Sequence, residues 1–296
     1  MAEILRLNSQ IDHLLYSTTR IEAYLPDSRT SIGTGFFMAF MPDPNNPDRI
    51  FPALVTNRHV VQDAIGGRIL LHEGTVGPNG RRQPAGTRVY SEVTDFSRSL
   101  VAHPDPNIDL AGVPMGRMIR EFESLGRPLF FTQIGENLIP SQDLLMQMKV
   151  MEDVVMVGYP RGLADEAHGF PLFRHGYTAS HPGVNFNDRP LGALDVALVH
   201  GSSGSPVITY NPSLDYSVGG PEIHQPVLLG VLFGGPQTTA EGTFEIDPLP
   251  TMDVPAITTR MFMNIGYYIK ARELLALKEE MLKALGILGR RPDQAQ

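Results

Sequence analysis

The chain has no cysteine and no tryptophan among its 296 residues. Without cysteine there can be no disulfide, no thiolate nucleophile and no cysteine-based zinc site. Positive charge is also scarce: 24 Lys and Arg stand against 32 Asp and Glu, for a formal net charge of −8. The only basic clusters are the short pairs Arg81-Arg82 and Arg290-Arg291. Phosphate backbones are bound by clustered Lys and Arg, so no nucleic-acid partner is expected. Long apolar runs are missing as well, and none approaches the length of a membrane-crossing helix. The N-terminal stretch carries Glu3, Arg6 and Asp12 and lacks the basic start and apolar core of a secretion signal. The expectation is a soluble, cytoplasmic chain with no membrane partner.

What is present points to strands. A hydrophobic content of 42% can fill a sizeable core, and 29 Gly with 25 Pro suit many short strands joined by turns. One stretch stands out: Gly201-Ser202-Ser203-Gly204-Ser205-Pro206, followed by the apolar Val207-Ile208. It holds small hydroxyl residues between glycines just before a strand. A serine nucleophile needs a hydroxyl that stands clear of the backbone, with neighbouring N–H groups free to meet an oxyanion. Taken alone, the same stretch reads as a strand-joining turn.

A serine hydroxyl needs a general base, and the base needs a carboxylate to fix its tautomer. His59 lies where the apolar run Ala53-Leu54-Val55 ends in a polar corner, Thr56-Asn57-Arg58-His59. Asp109 is a lone carboxylate entering the apolar run Leu110-Ala111-Gly112-Val113. Singly, His59 reads as a strand-end histidine and Asp109 as a turn residue. Jointly they precede Ser203 in the order His, Asp, Ser, which is the chymotrypsin order and not that of subtilisin or the α/β-hydrolases. A metal reading finds no support, because His168, His175 and His181 match no helical zinc spacing and no His-Glu-x-x-His occurs. No metal or other cofactor is expected.

With these frames the chain resembles the trypsin-like serine proteases of the chymotrypsin fold. In style it is nearest the disulfide-free bacterial HtrA-like and glutamyl-endopeptidase-like members. The resemblance rests on Gly33-Thr34-Gly35-Phe36, Val55-Thr56-Asn57-Arg58-His59-Val60-Val61, Asp109-Leu110-Ala111, Gly158-Tyr159-Pro160-Arg161-Gly162, the serine hexapeptide, and Leu229 to Gly235. It implies an all-β fold of two six-stranded antiparallel β-barrels with a C-terminal α-helix and a site between the barrels. It also implies His59, Asp109 and Ser203 as the catalytic triad, with Ser205 as the rival nucleophile. The N–H groups of Gly201 and Ser203 become the oxyanion hole, and Phe233, Gly234 and Gly235 the strand that pairs with a protein or peptide substrate. Secreted members carry Asp where this chain has Ser202, so activation by a freed terminal amine is not expected. Too little chain follows residue 270 for a PDZ-like segment.

The expected organisation is an arm and first barrel over residues 1–127, a second barrel over 128–264, and a helix with a tail over 265–296. A strand is expected over 15–24, a linker helix over 115–127 and a loop-rich rim over 161–192. The near three-to-four spacing of Tyr268, Ala271, Leu275, Met281 and Leu285 predicts a helix over 265–288. Such a helix either packs on the second barrel or docks a regulatory partner or a second copy. Asp195, Ala197 and His200 precede the nucleophile where similar enzymes line the primary pocket. The functional alternative is a catalytically latent or inactive binding or scaffold protein on the same fold.

Overall fold

The computed structural model describes residues 11–42, 46, 49–78, 80–94, 96–197, 199–210, 226–235, 237–243, 256–262 and 264–287. The arm expected before residue 11, residues 43–45 and 47–48, and the tail after 287 lie outside the described residues.

The first unit is a nine-stranded sheet. Its main path runs through β5 (Arg82–Val93), β4 (Gly66–Val76), β1 (Thr18–Tyr24), β2 (Thr30–Phe40), β3 (Phe51–Thr56), β7 (Ala111–Pro114) and β6 (Val101–Ala102). Two further strands attach off this path, β8 (Leu129–Phe130) to β4 and β9 (Ile134–Gly135) to β2. β2 is apolar at consecutive positions because both its faces are covered. Phe36, Met38 and Phe40 face a core shared with the second unit. Phe37 faces the first unit's own core, with Ile21, Leu54 and Val60. Each such side chain, fully buried, contributes about 1.5–3 kcal/mol relative to exposure.

The second unit is a closed barrel of six antiparallel strands. Around the barrel these are β10 (Asp153–Gly158), β11 (Leu172–Thr178), β12 (Leu191–Asp195), β17 (Ile265–Lys270), β14 (Leu228–Gly234) and β13 (Pro206–Thr209). Between β14 and β17 a separate hairpin forms from β15 (Gln237–Thr243) and β16 (Ala256–Phe262). The helices are short: α1 (Arg58–Val61), α2 (Phe96–Ser99), α3 (Gly116–Ser124), α4 (Gln142–Gln147) and α5 (Glu273–Ala284). The all-β, two-unit architecture with a C-terminal helix is therefore present.

Several elements differ from the sequence expectation. Residues 265–270 are a barrel strand, and the helix begins only at Glu273. Tyr268 of this strand enters the barrel core while Ile269 enters the core shared by the two units. Burial on both faces leaves a continuous apolar run with no period of two to read. α5 then crosses to the first unit and packs on β6 and β7, although the sequence placed it on the second barrel. Its Leu274, Leu277, Met281 and Leu282 are buried, while Leu285 just past its end is exposed. β8 and β9 follow residue 127 yet pair with the first sheet, and the first barrel strand starts only at Asp153. β11 runs through the stretch read as loop-rich. Its outward positions are exposed, which removes the apolar signal. The N-terminal strand begins at Thr18, after a 3-10 turn at Asp12–Tyr16.

Candidate active site

His59 and Asp109 are both delivered by the first unit. β3 ends at Thr56, Asn57 stays extended, and the single turn of α1 carries His59. That turn sits tightly on β2. A Cβ at Gly33 would collide with both methyl groups of Val60, so only glycine lets α1 approach this closely. Asp109 lies in the loop between β6 and β7, which the His103 N–H closes by donating to Leu110 O at 2.9 Å. The buried Asn57 donates through Nδ2 to Asp109 O at 2.8 Å. The Asp109 carboxylate then takes two bonds from one residue, the His59 backbone N–H at 2.9 Å and the His59 ring Nδ1 at 2.5 Å. A carboxylate accepting at Nδ1 places the proton there and leaves Nε2 as the basic nitrogen. The His59 side chain is 47% exposed, so that nitrogen is accessible.

The serine loop belongs to the second unit and is held mainly through backbone groups. Gly201 has φ +85°, and a Cβ there would meet Tyr159 O at 2.6 Å and Arg161 N at 2.7 Å. The Arg161 N–H donates to His200 O at 2.5 Å. In a trans peptide the N–H points opposite the C=O, so the Gly201 N–H is directed away from the 3-10 turn at Pro160–Gly162. In the hexapeptide the Gly204 N–H donates to Leu232 O at 2.8 Å and the Ser205 N–H to Ser202 O at 3.1 Å. Among the described residues, the N–H groups of Gly201 and Ser203 donate to nothing. Two unpaired donors two residues apart at a tight bend suit an incoming oxyanion.

Thr34 fastens this loop to the first unit, a role the sequence reading did not assign to it. The Thr34 N–H donates to Ser203 O at 2.9 Å, and its hydroxyl donates to Gly201 O at 3.0 Å while accepting the Tyr159 N–H at 3.0 Å. Neighbouring positions on β2 thus serve both halves of the site. Gly33 seats the helix that carries His59, and Thr34 holds the loop that carries Ser203. A second missed residue is Arg20 on β1, whose Nη1 donates to Gly162 O at 2.9 Å and braces the 160–162 turn. The signal for both was weak, because each acts across more than a hundred residues of sequence.

The structure separates the two candidate serines. Ser205 is 2% exposed and its hydroxyl packs against Gly158, whereas Ser203 stays partly open. The Ser203 hydroxyl donates to Phe233 O at 3.5 Å, so the end of β14 lies beside it. No hydrogen bond joins Ser203 Oγ to His59 among the described residues. Phe233, Gly234 and Gly235 are partly exposed at the strand end. Ser202 is buried, and its hydroxyl has no partner. Asp195 and Ala197 are exposed. His168 pairs with Asp165, His175 pairs with Asp153, and His181 accepts the Gly183 N–H, so these three rings serve three separate contacts. No cluster suited to a metal ion occurs among the described residues.

No curated protein matches the chain. Similar solved structures include the HtrA-type protease AlgW with a tripeptide, at 13% identity and TM-score 0.48, covering 93% of this chain and 62% of that one. They also include the thermostable serine protease AL20 from an extremophilic microorganism, at 12% identity and TM-score 0.43, covering 91% of this chain and 97% of that one. A third is an inactivated protease paralogue of the scabies mite, at 14% identity and TM-score 0.44, covering 92% and 96%. The chain spans about 62% of the length of the AlgW chain it matches. A family model for the trypsin-like peptidase domain matches residues 33–213, more than half of the chain and the stretch that holds His59, Asp109 and Ser203. The chain belongs to the trypsin-like peptidase domain family.

Proposed function

We propose that the chain is a serine endopeptidase that cleaves peptide bonds through His59, Asp109 and Ser203. The observation that carries this reading is one constellation. A fixed His59–Asp109 pair and a serine flanked by two unpaired N–H groups are seated by adjacent residues of one strand. Substrate backbone adds as a strand beside Phe233, Gly234 and Gly235. His59 Nε2 takes the Ser203 proton as Oγ attacks the scissile carbonyl carbon. Asp109 holds the ring and stabilises the imidazolium, and the N–H groups of Gly201 and Ser203 meet the oxyanion. His59 then gives its proton to the leaving amine, and water repeats the cycle on the acyl-enzyme. The missing Ser203–His59 bond is compatible with this, since such bonds lengthen in free enzymes and tighten around substrate.

One observation favours a second reading, a protein latent until a partner binds: the Ser203 hydroxyl donates to Phe233 O and makes no hydrogen bond to His59 among the described residues. A fluorophosphonate probe separates the two. Labelling of the purified protein that persists in Ser205→Ala and disappears in Ser203→Ala supports the peptidase. An unlabelled wild type overturns it in favour of the latent protein.

A further inference from the structure

A second polar site lies in the barrel unit, away from the serine. Lys270 ends β17 and is only 2% exposed. Its Nζ donates to Pro182 O at 2.9 Å and Val184 O at 2.6 Å. These carbonyls satisfy two of its protons but supply no charge. Among the described residues, no carboxylate lies within ion-pair distance of Nζ. A cation in such a place is costly unless an anion accompanies it.

The next cation along the chain makes that cost larger. Burial first, and the Arg272 guanidinium second, hold the Lys270 amine down at about 8. Arg272 is fixed in place, with Nη2 donating to Asn185 Oδ1 at 2.8 Å and Nη1 to Gln142 Oε1 at 3.4 Å. Gln142 is itself anchored by its Nε2, which donates to Gly183 O at 2.7 Å. Arg272 has Glu273 as an ion-pair partner at 3.3 Å, so of the two cations Lys270 is the one without a carboxylate beside it among the described residues. One uncompensated positive charge remains, that of Lys270.

Both cations line a cavity of about 610 Å³ whose walls include the apolar Leu145 and Leu229. That volume is within the range of small-molecule sites. Lys270 pairs with Gly230 on β14, four residues from Gly234 at the substrate end of that strand. Along a strand this is about 13 Å, so the cavity is a place of its own.

We propose that this cavity binds a small organic carboxylate with an apolar body, its carboxylate between Lys270 and Arg272 and its body on Leu145 and Leu229. The single uncompensated charge selects a monoanion over a phosphate dianion. Nε, Nη1 and Nη2 of Arg272 each hold one bond already, which leaves one N–H on each Nη for a ligand carboxylate. The apolar walls give affinity to the body of the ligand.

The test is a calorimetric titration of the full chain with benzoate, and with acetate, benzyl alcohol and sulfate as comparisons. Benzoate binds saturably to the wild type. Acetate, benzyl alcohol and sulfate each bind at least about tenfold more weakly, as does benzoate to Arg272→Gln. Arg272 is exposed, so that variant is expected to fold as the wild type does, and Lys270→Met provides the same test at the buried position. Absence of saturable benzoate binding overturns the proposal. So does equal binding by Arg272→Gln, or sulfate binding as tight as benzoate. None of these readouts depends on proteolysis, so the site stands or falls separately from the catalytic reading.

Discussion

The corner that carries His59 and the loop that carries Ser203 are built in opposite ways. In the corner the backbone and carboxylate oxygens of Asp109 are already paired, and only the buried Asn57 Oδ1 lacks a partner among its buried side-chain atoms. The Asp109 carboxylate takes two bonds from His59, and its backbone oxygen takes one from Asn57 and one from the Arg58 N–H. In the loop, groups are held in reserve: two N–H donors have no partner, and the Ser203 hydroxyl makes only a long bond to Phe233 O. In the proposed reaction base and carboxylate must keep one geometry throughout a turnover, so pairing them in advance costs nothing later. An oxyanion exists only transiently, and donors already satisfied in the free protein could not meet it.

The largest expected effect comes from breaking the paired side. Asp109→Asn leaves a hydrogen-bonding group in place but reverses the tautomer of His59, and kcat should fall about 10⁴-fold. Breaking the reserved side should cost less. Gly201→Ala puts a Cβ at φ +85° against Tyr159 O and rotates one donor out of position, for a loss of about 10²–10³-fold. Steady-state kinetics on one peptide substrate, with fluorophosphonate labelling, decides the comparison. Equal losses in the two variants would mean that the loop is as rigidly committed as the corner.

The two units also answer differently to pH. His72 lies within the first unit against Tyr16 and Phe170, and burial holds it down at about 4 from a usual 6.5. Between these values the unfolded chain binds the extra proton, so folding stability is complete above 6.5 and is lost as pH falls to about 4. The whole shift corresponds to about 3 kcal/mol. Lys270 works in the alkaline window, where stability rises from pH about 8 up to its usual 10.5. Circular dichroism melts of wild type and His72→Phe at pH 4.5 and 7 test the acid limb. The variant should lose much less stability between the two. If both fall in parallel, acid sensitivity arises elsewhere.

The local frames of the site were legible in the sequence because each is a strand end followed by a polar corner. His59 follows Ala53-Leu54-Val55, Asp109 precedes Leu110-Ala111, and Ser203 precedes Val207-Ile208. Long-range partners left no such trace. Thr34 reads as a β-prone residue in a glycine-flanked strand, and nothing near it in sequence shows that it holds Ser203 and Gly201. β17 and α5 were merged for a different reason. Tyr268, Ala271 and Leu275 recur at helical spacing by coincidence across a strand end and a helix start. The crossing of α5 to the first unit depends on Leu277 and Met281 fitting over Gly112 of β7, which is a matter of shape and not of pattern.

The smallest effect, and the finest probe of the comparison, is at Arg20. It belongs to the first unit but braces the second. Its Nη1 holds Gly162 O, the neighbouring Arg161 N–H holds His200 O, and that peptide directs the Gly201 N–H. Arg20 is itself fixed by Glu22 at 2.8 Å and by the Tyr90 hydroxyl. Arg20→Met keeps an unbranched stem to pack on β1 and removes the bond. The donor then spends part of its time misdirected, and kcat should fall about tenfold, consistent with the loss of one hydrogen bond made by a charged group. KM should stay near the wild-type value if substrate pairs with β14, as proposed, and not with this turn. A general loss of packing would instead lower the melting temperature and change both constants. A fall in kcat alone would show that the reserved donors depend on a brace from the paired side of the molecule.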